Sequence, residues 1–209
     1  MSKTTREQLL DAARRQFANK GYYGASIAGI AQELGLSKQA LLHHFGSKEK
    51  LYGEILKGIS DRMLSAIIRI RSDVQDPRAQ LEALMLGNLD IQAAQREEAQ
   101  ILMREVLDNR ARAEQAGTWY LKPFLDALVD IVRQTPTGRG LGQAEALALV
   151  IQLLGAISYF AVSEPTLKRM FGESAYAEMT SHYPEQLRAL IRARLGGVSS
   201  APFAGTQTA

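Results

Sequence analysis

Apolar residues recur at helical spacing along nearly the whole chain. Leu9, Ala13 and Phe17 lie four apart behind Thr4 and Glu7, a pair spaced to satisfy each other's backbone N–H groups at a helix start. This pattern predicts a first helix over residues 6–19. Gly21 and Gly24 close it with a short aromatic loop through Tyr22 and Tyr23, and Ser26 is placed to cap a second, short helix bearing Ile27, Ile30, Ala31 and Leu34. Gly35 ends that helix. Leu36 turns inward, Ser37 caps again, and residues 38–44 make a third helix of barely two turns, with Leu41 and Phe45 four apart on its buried side. From Ser47 a much longer helix is expected, because Leu51, Ile55, Ile59, Met63 and Ile67 form an unbroken stripe at spacing four that ends near Asp76 and Pro77.

Beyond Pro77 the same reading predicts helices over residues 79–95, 97–115, 119–134 and 143–162, then a broken segment and a last helix over 184–195. Residues 137–142 are Gly-rich and read as a loop, and residues 196–209 hold too few large apolar side chains to pack and read as a disordered tail. No strand pattern competes. The expected fold is all-α, with a three-helix N-terminal domain over residues 1–47 and a larger helical C-terminal domain over 48–195.

Composition removes several classes. Of 209 residues, 46% are hydrophobic, 22% are charged and six are proline, as in helix-rich globular proteins. The absence of cysteine excludes a disulfide framework, a thiolate zinc site and a cysteine nucleophile, and fits a reducing, cytoplasmic setting. The first ten residues are charged and polar where a secretory signal needs an apolar stretch. Charge is unevenly spread: residues 1–60 carry nine Lys or Arg against five Asp or Glu, and the remainder carries sixteen against seventeen. A basic module beside a nearly neutral body points to a polyanion at the N-terminal end.

Two short helices joined by a three-residue turn beginning at Gly35, both packed on a preceding helix, have the spacing of a helix-turn-helix DNA-binding domain, whose second helix enters the major groove. The outer side of the third helix carries Ser37, Lys38, Gln39 and His43, donors and acceptors that can reach base edges, Lys toward guanine and Gln toward adenine. These residues resemble a known family. Residues 24–52, GASIAGIAQELGLSKQALLHHFGSKEKLY, are similar to the N-terminal domain of TetR-family transcriptional regulators. The resemblance runs from about Leu9 to Leu56 and includes Phe17, Gly21, Ile30 with Ala31, Leu36 with Ser37, His44 with Phe45, and Ser47, Lys48 and Glu49. It implies an all-helical homodimer with a larger C-terminal ligand-binding and dimerisation domain, most often a repressor released from its operator by a small molecule.

The resemblance also implies roles for single residues. Lys48, in the first turn of the fourth helix where the macrodipole disfavours a cation, is expected to meet a phosphate, and His44 to contact the DNA backbone while packing on the first helix. Ser26 stands where the family usually has Thr, and offers a cap and a hydroxyl to phosphate. Leu42 stands where most members have Tyr, so a phenol is replaced by a side chain that can meet a thymine methyl. A metal reading of His43 and His44 fails, because adjacent helical residues point about 100° apart and no carboxylate completes a set. Tyr22 and Tyr23 either brace their loop or touch phosphate.

In the body, residues 144–162 are apolar almost all round, interrupted chiefly by Glu145, Gln152 and Ser158. A membrane span needs about 20 such residues. The preferred reading is a dimer face, in which Gly155 and Ala156 admit a close neighbour and the last helix adds Leu187, Leu190, Ile191 and Leu195 to a four-helix bundle across a two-fold axis. Large adaptable side chains in the middle helices make either plain core or a pocket for a mostly apolar effector; the residues chosen for the pocket are Met85, Asn88, Met103, Trp119, Tyr120, Phe124, Gln152 and Tyr159. Arg104 with Glu105, and Glu97 with Glu98, read as a solvated helix face.

Three readings follow: an effector-released repressor on a palindromic double-stranded operator, a DNA-binding activator or DNA-organising protein without an effector, and an enzyme or carrier on a helical bundle. His43, His44 and His182 complete no metal or nucleophile motif, so no enzyme, cofactor or membrane partner is expected. The helix from Ser47 is the expected link between the domains.

Overall fold

The computed structural model describes residues 3–107 and 119–196. Its helices are α1 (Thr5–Gly24), α2 (Ile27–Gln32), α3 (Lys38–Phe45), α4 (Lys48–Asp73), α5 (Pro77–Ala94), α6 (Arg96–Leu107), α7 (Lys122–Gln134), α8 (Gln143–Phe171) and α9 (Glu173–Leu195), with one 3₁₀ turn at Gly138–Gly140. Among the described residues there is no strand. The end of the sixth expected helix, from 108 to 115, and the expected tail beyond 196 lie outside the described residues.

Local chemistry sets most helix starts. Thr4 and Glu7 form a reciprocal capping box on α1, and the hydroxyls of Ser26, Ser37 and Ser47 accept backbone N–H bonds at the starts of α2, α3 and α4. Asp76 does the same for α5, followed by Pro77 in the first turn. Two expectations fail, both around prolines. The helix expected from residue 119 begins at Lys122, because Pro123, lacking an N–H, sits in its first turn and leaves Trp119 and Tyr120 outside. The segment expected to be broken between 162 and 184 is helical through both Pro165 and Pro184, and turns instead at Gly172, whose φ is 89°. Aromatic packing holds α8 and α9 together across these prolines. The Phe160 and Tyr183 rings stack with centroids 3.8 Å apart, and the Tyr183 hydroxyl donates to the Ala156 carbonyl at 2.8 Å.

Apolar side chains bury into two clusters. The N-terminal one gathers Leu9, Phe17, Ile30, Leu41, Phe45 and Leu51 with Ile55 and Ile59, and Ile101 of α6 inserts into it. The second gathers Leu81, Met85, Leu128, Val132, Val150 and Ile191. α4 spans both, giving Leu51 to Ile59 to the first and Ile67 to the second. α8 is long and apolar enough to cross a membrane by length and composition. Here Ala146, Leu149, Val150, Leu153 and Ile157 are buried in the second cluster, as in a core helix.

Candidate nucleic-acid interface and interior cavity

The turn between α2 and α3 depends on Gly35, which takes φ 68°, a left-handed conformation that glycine adopts without steric cost. There the Leu36 N–H donates to the Ala31 carbonyl at 2.9 Å, bending the chain so that α3 leaves at an angle with Leu41 and Phe45 in the core. The opposite side of α3 is thereby exposed. Ser37, Lys38, Gln39, His43 and His44 all lie on the surface, as does Ser26 at the start of α2, and Leu42 is half-buried against the N-terminal core. The His44 ring lies 6.0 Å from that of His43 and 6.2 Å from that of Phe45, both on α3 itself. Among the described residues no group of three His, Cys, Asp or Glu is placed to hold a metal ion.

Lys48 is half-buried at the start of α4, its ammonium 4.7 Å from the centroid of the Tyr22 ring. Burial draws its pKa below the usual lysine value. The segment expected as a loop is instead the last turn of α1, past a kink at Gly21 (φ 69°). There Tyr22 is held by Tyr52 with centroids 5.1 Å apart and braces a cation beside α3, and Tyr23 lies exposed next to it. Sequence reasoning missed Arg6, whose guanidinium carbon sits 5.0 Å from the centroid of the Phe45 ring while it pairs with Glu54. It also missed Glu33, which accepts from Arg15 Nε at 2.9 Å and from Gln16 at 3.1 Å, tying α1 to α2. The Gln16 and Arg15 hydrogen bonds hold the Glu33 carboxyl below the usual carboxylate range.

Of the four α6 charges expected on a solvated face, Glu98, Arg104 and Glu105 instead face α1 and α4, contrary to the sequence expectation. Glu98 is buried and pairs with Arg62 of α4, with Arg14 of α1 at 3.7 Å. Arg104 donates to the carbonyls of Ala18 and Asn19 on α1 at 2.8 and 2.9 Å. Glu105, also buried, accepts from the Tyr52 hydroxyl at 2.9 Å. These partners lie 36 to 86 residues away in sequence, beyond the reach of a helix-face pattern.

A cavity of about 280 Å³ lies among α4 to α8. Of the eight expected pocket residues it brings together Asn88, Met103 and Phe124. The other five are elsewhere. Met85 is fully buried in the second core, and Trp119, Gln152 and Tyr159 are exposed at the surface. Tyr120 packs against the N-terminal core, because a Cβ at Gly53 would lie 2.8 Å from its hydroxyl oxygen and glycine leaves that space open. The cavity adds Met63, Gln92, Leu125 and Leu154, which the sequence reading did not select. Gln92 carries a readable signal, an amide one helical turn from Asn88 on an otherwise apolar face.

Fold and exposed face define a protein of the helix-turn-helix class. Residues 9–55 match the family model described as bacterial regulatory proteins, tetR family. It is similar to the HTH-type transcriptional regulator BetI of Stenotrophomonas maltophilia, 37% identical over 86 residues, covering 41% of this chain and 44% of that protein. It is 39% identical over 80 residues to the HTH-type transcriptional repressor KstR2 of Rhodococcus jostii, covering 38% of this chain and 39% of that protein. The matched segments thus span less than half of these relatives. The whole fold is similar to a putative transcriptional regulator, SCO4942, from Streptomyces coelicolor, with TM-score 0.68 and 19% identity over 91% of this chain and 97% of that one. It is also similar to FadR of Bacillus subtilis in complex with stearoyl-CoA, with TM-score 0.66 and 18% identity over 92% of this chain and 99% of that one.

Proposed function

We propose that this chain is a cytoplasmic transcriptional repressor that binds a palindromic DNA operator as a homodimer through α3 and is released by a small, mostly apolar effector. The observation that carries this reading is the exposed polar side of α3, Lys38, Gln39 and His43, set off from a buried side of Leu41 and Phe45. Ser26, His44 and Lys48 flank it and suit contacts to the phosphate backbone, and Leu42 suits a thymine methyl. Relatives named as repressors favour repression.

Dimerisation is supported by an apolar stripe on α8. Leu147, Ile151 and Tyr159 are exposed along it, and a Cβ at Gly155 between them would meet nothing among the described residues. Ile151 and Gly155 also border the mouth of the cavity, and Leu190 is exposed on α9. One α3 buries too little surface for specificity, and two-fold symmetry doubles it.

Release is supported by the two faces of α6. Leu102 and Met103 line the cavity, and Glu98, Arg104 and Glu105 tie the same helix to α1 and α4. A molecule that displaces α6 therefore acts on α1 directly as well as through α4, which contributes Met63 to the cavity. The test is a gel shift of the full-length protein on DNA from upstream of its own coding sequence. Specific retardation over a scrambled duplex is expected, and equal retardation of both duplexes refutes the reading.

A further inference from the structure

Asn88 and Gln92 stand one turn apart on α5, 7% and 2% exposed, and both line the cavity. Asn88 Oδ1 accepts from Gln92 Nε2 at 3.4 Å, which leaves Asn88 Nδ2 and Gln92 Oε1 buried without a hydrogen-bond partner. Reversing both amides preserves the balance, since one donor and one acceptor still remain open. Buried polar groups left unpaired behind an otherwise apolar wall are costly. The two open atoms expose almost no surface to the cavity as it stands, so they meet a ligand once the amides turn toward the space they line. Among the described residues lining the cavity, Ser158 is the one further polar side chain and none is charged. A smaller space of about 60 Å³ adjoins the same two amides and is bordered by Arg62 and Glu98, which pair with each other.

We propose that the cavity takes an uncharged, mostly apolar molecule bearing one hydroxyl or carboxamide, which donates to the open amide carbonyl and accepts from the open amide N–H. This rests on the reading of the cavity as an effector site and names the effector's chemistry. A carboxylate satisfies the N–H but sets its own oxygen against the carbonyl, so the paired amides select against anions. A hydrocarbon satisfies neither group. The cavity thus reads one amphoteric polar group at the α5 wall and apolar shape at Leu102, Met103 and Phe124.

Calorimetric titration of the full-length protein with octan-1-ol, octanamide and sodium octanoate at pH 8 tests this. Octanol and octanamide are expected to bind about tenfold or more tighter than octanoate. In the Asn88→Leu/Gln92→Leu variant that ranking is expected to collapse, with helix content unchanged by circular dichroism. Octanoate equal to or tighter than octanamide on the unmodified protein, no binding of any of the three, or a folded double variant that keeps the ranking overturns the proposal. The ranking on unmodified protein decides the matter even if the variant does not fold. No DNA enters these titrations, so a bound probe that fails to release DNA refutes the repressor reading and leaves the ligand chemistry standing.

Discussion

The hydroxyl of Tyr52 on α4 donates a 2.9 Å hydrogen bond to the carboxylate of Glu105 on α6, and both residues are buried. The bond crosses between the N-terminal core and the helix whose other face lines the cavity. Tyr52→Phe deprives a buried carboxylate of one donor, and a loss of about 1.5–3 kcal/mol in unfolding free energy is expected by urea denaturation. An unchanged unfolding midpoint in Tyr52→Phe removes this bond from the structural link between α4 and α6.

Glu33 gives a pH-dependent contribution. Its folded pKa is lowered, so the stability it adds is present above the unfolded carboxylate pKa and is lost as pH falls through the folded value. The difference in unfolding free energy between the native protein and Glu33→Gln is expected to be flat above about pH 5 and to shrink below it. A difference that grows on acidification contradicts the Gln16 and Arg15 bonds as its source.

These two pairs show where the sequence was legible. The capping residues Thr4, Ser26, Ser37 and Ser47 act on N–H groups three residues away, so their roles follow from local spacing alone. The exposed set on α3 follows from Leu41 and Phe45 fixing its buried side. Glu98 and Glu105 were not legible, because their burial depends on Arg62, Arg14 and Tyr52, brought near by the packing of α6 on α1 and α4. The pocket was half legible for a related reason. Periodicity marks which positions of α5 and α8 are apolar, but the angle at which five helices meet decides that Asn88 faces the cavity and Gln152 faces outward.

On the proposed reading, Lys48 contacts the DNA backbone and no base. Lys48→Ala is expected to weaken binding to all DNA sequences alike and to reduce the slope of log affinity against log salt by about 0.9 for each phosphate that is no longer neutralised. Anisotropy titrations at several salt concentrations measure this, and an unchanged slope takes Lys48 out of the interface.

Tyr159, 66% exposed on α8, tests the dimer face. Tyr159→Glu places a charge in the apolar stripe and is expected to yield a monomer by sedimentation velocity, with unchanged helix content and weakened binding to a two-half-site duplex. A persistent dimer moves the association surface elsewhere.

The central claim is that α3 reads DNA sequence. It is tested most directly by comparing the native protein with Lys38→Ala/Gln39→Ala on the upstream duplex and on variants changed base by base within one half-site. Each substitution is expected to cost about 1–3 kcal/mol at the base pair it reads and to flatten the preference there. A double variant that binds every duplex as the native protein does contradicts the account.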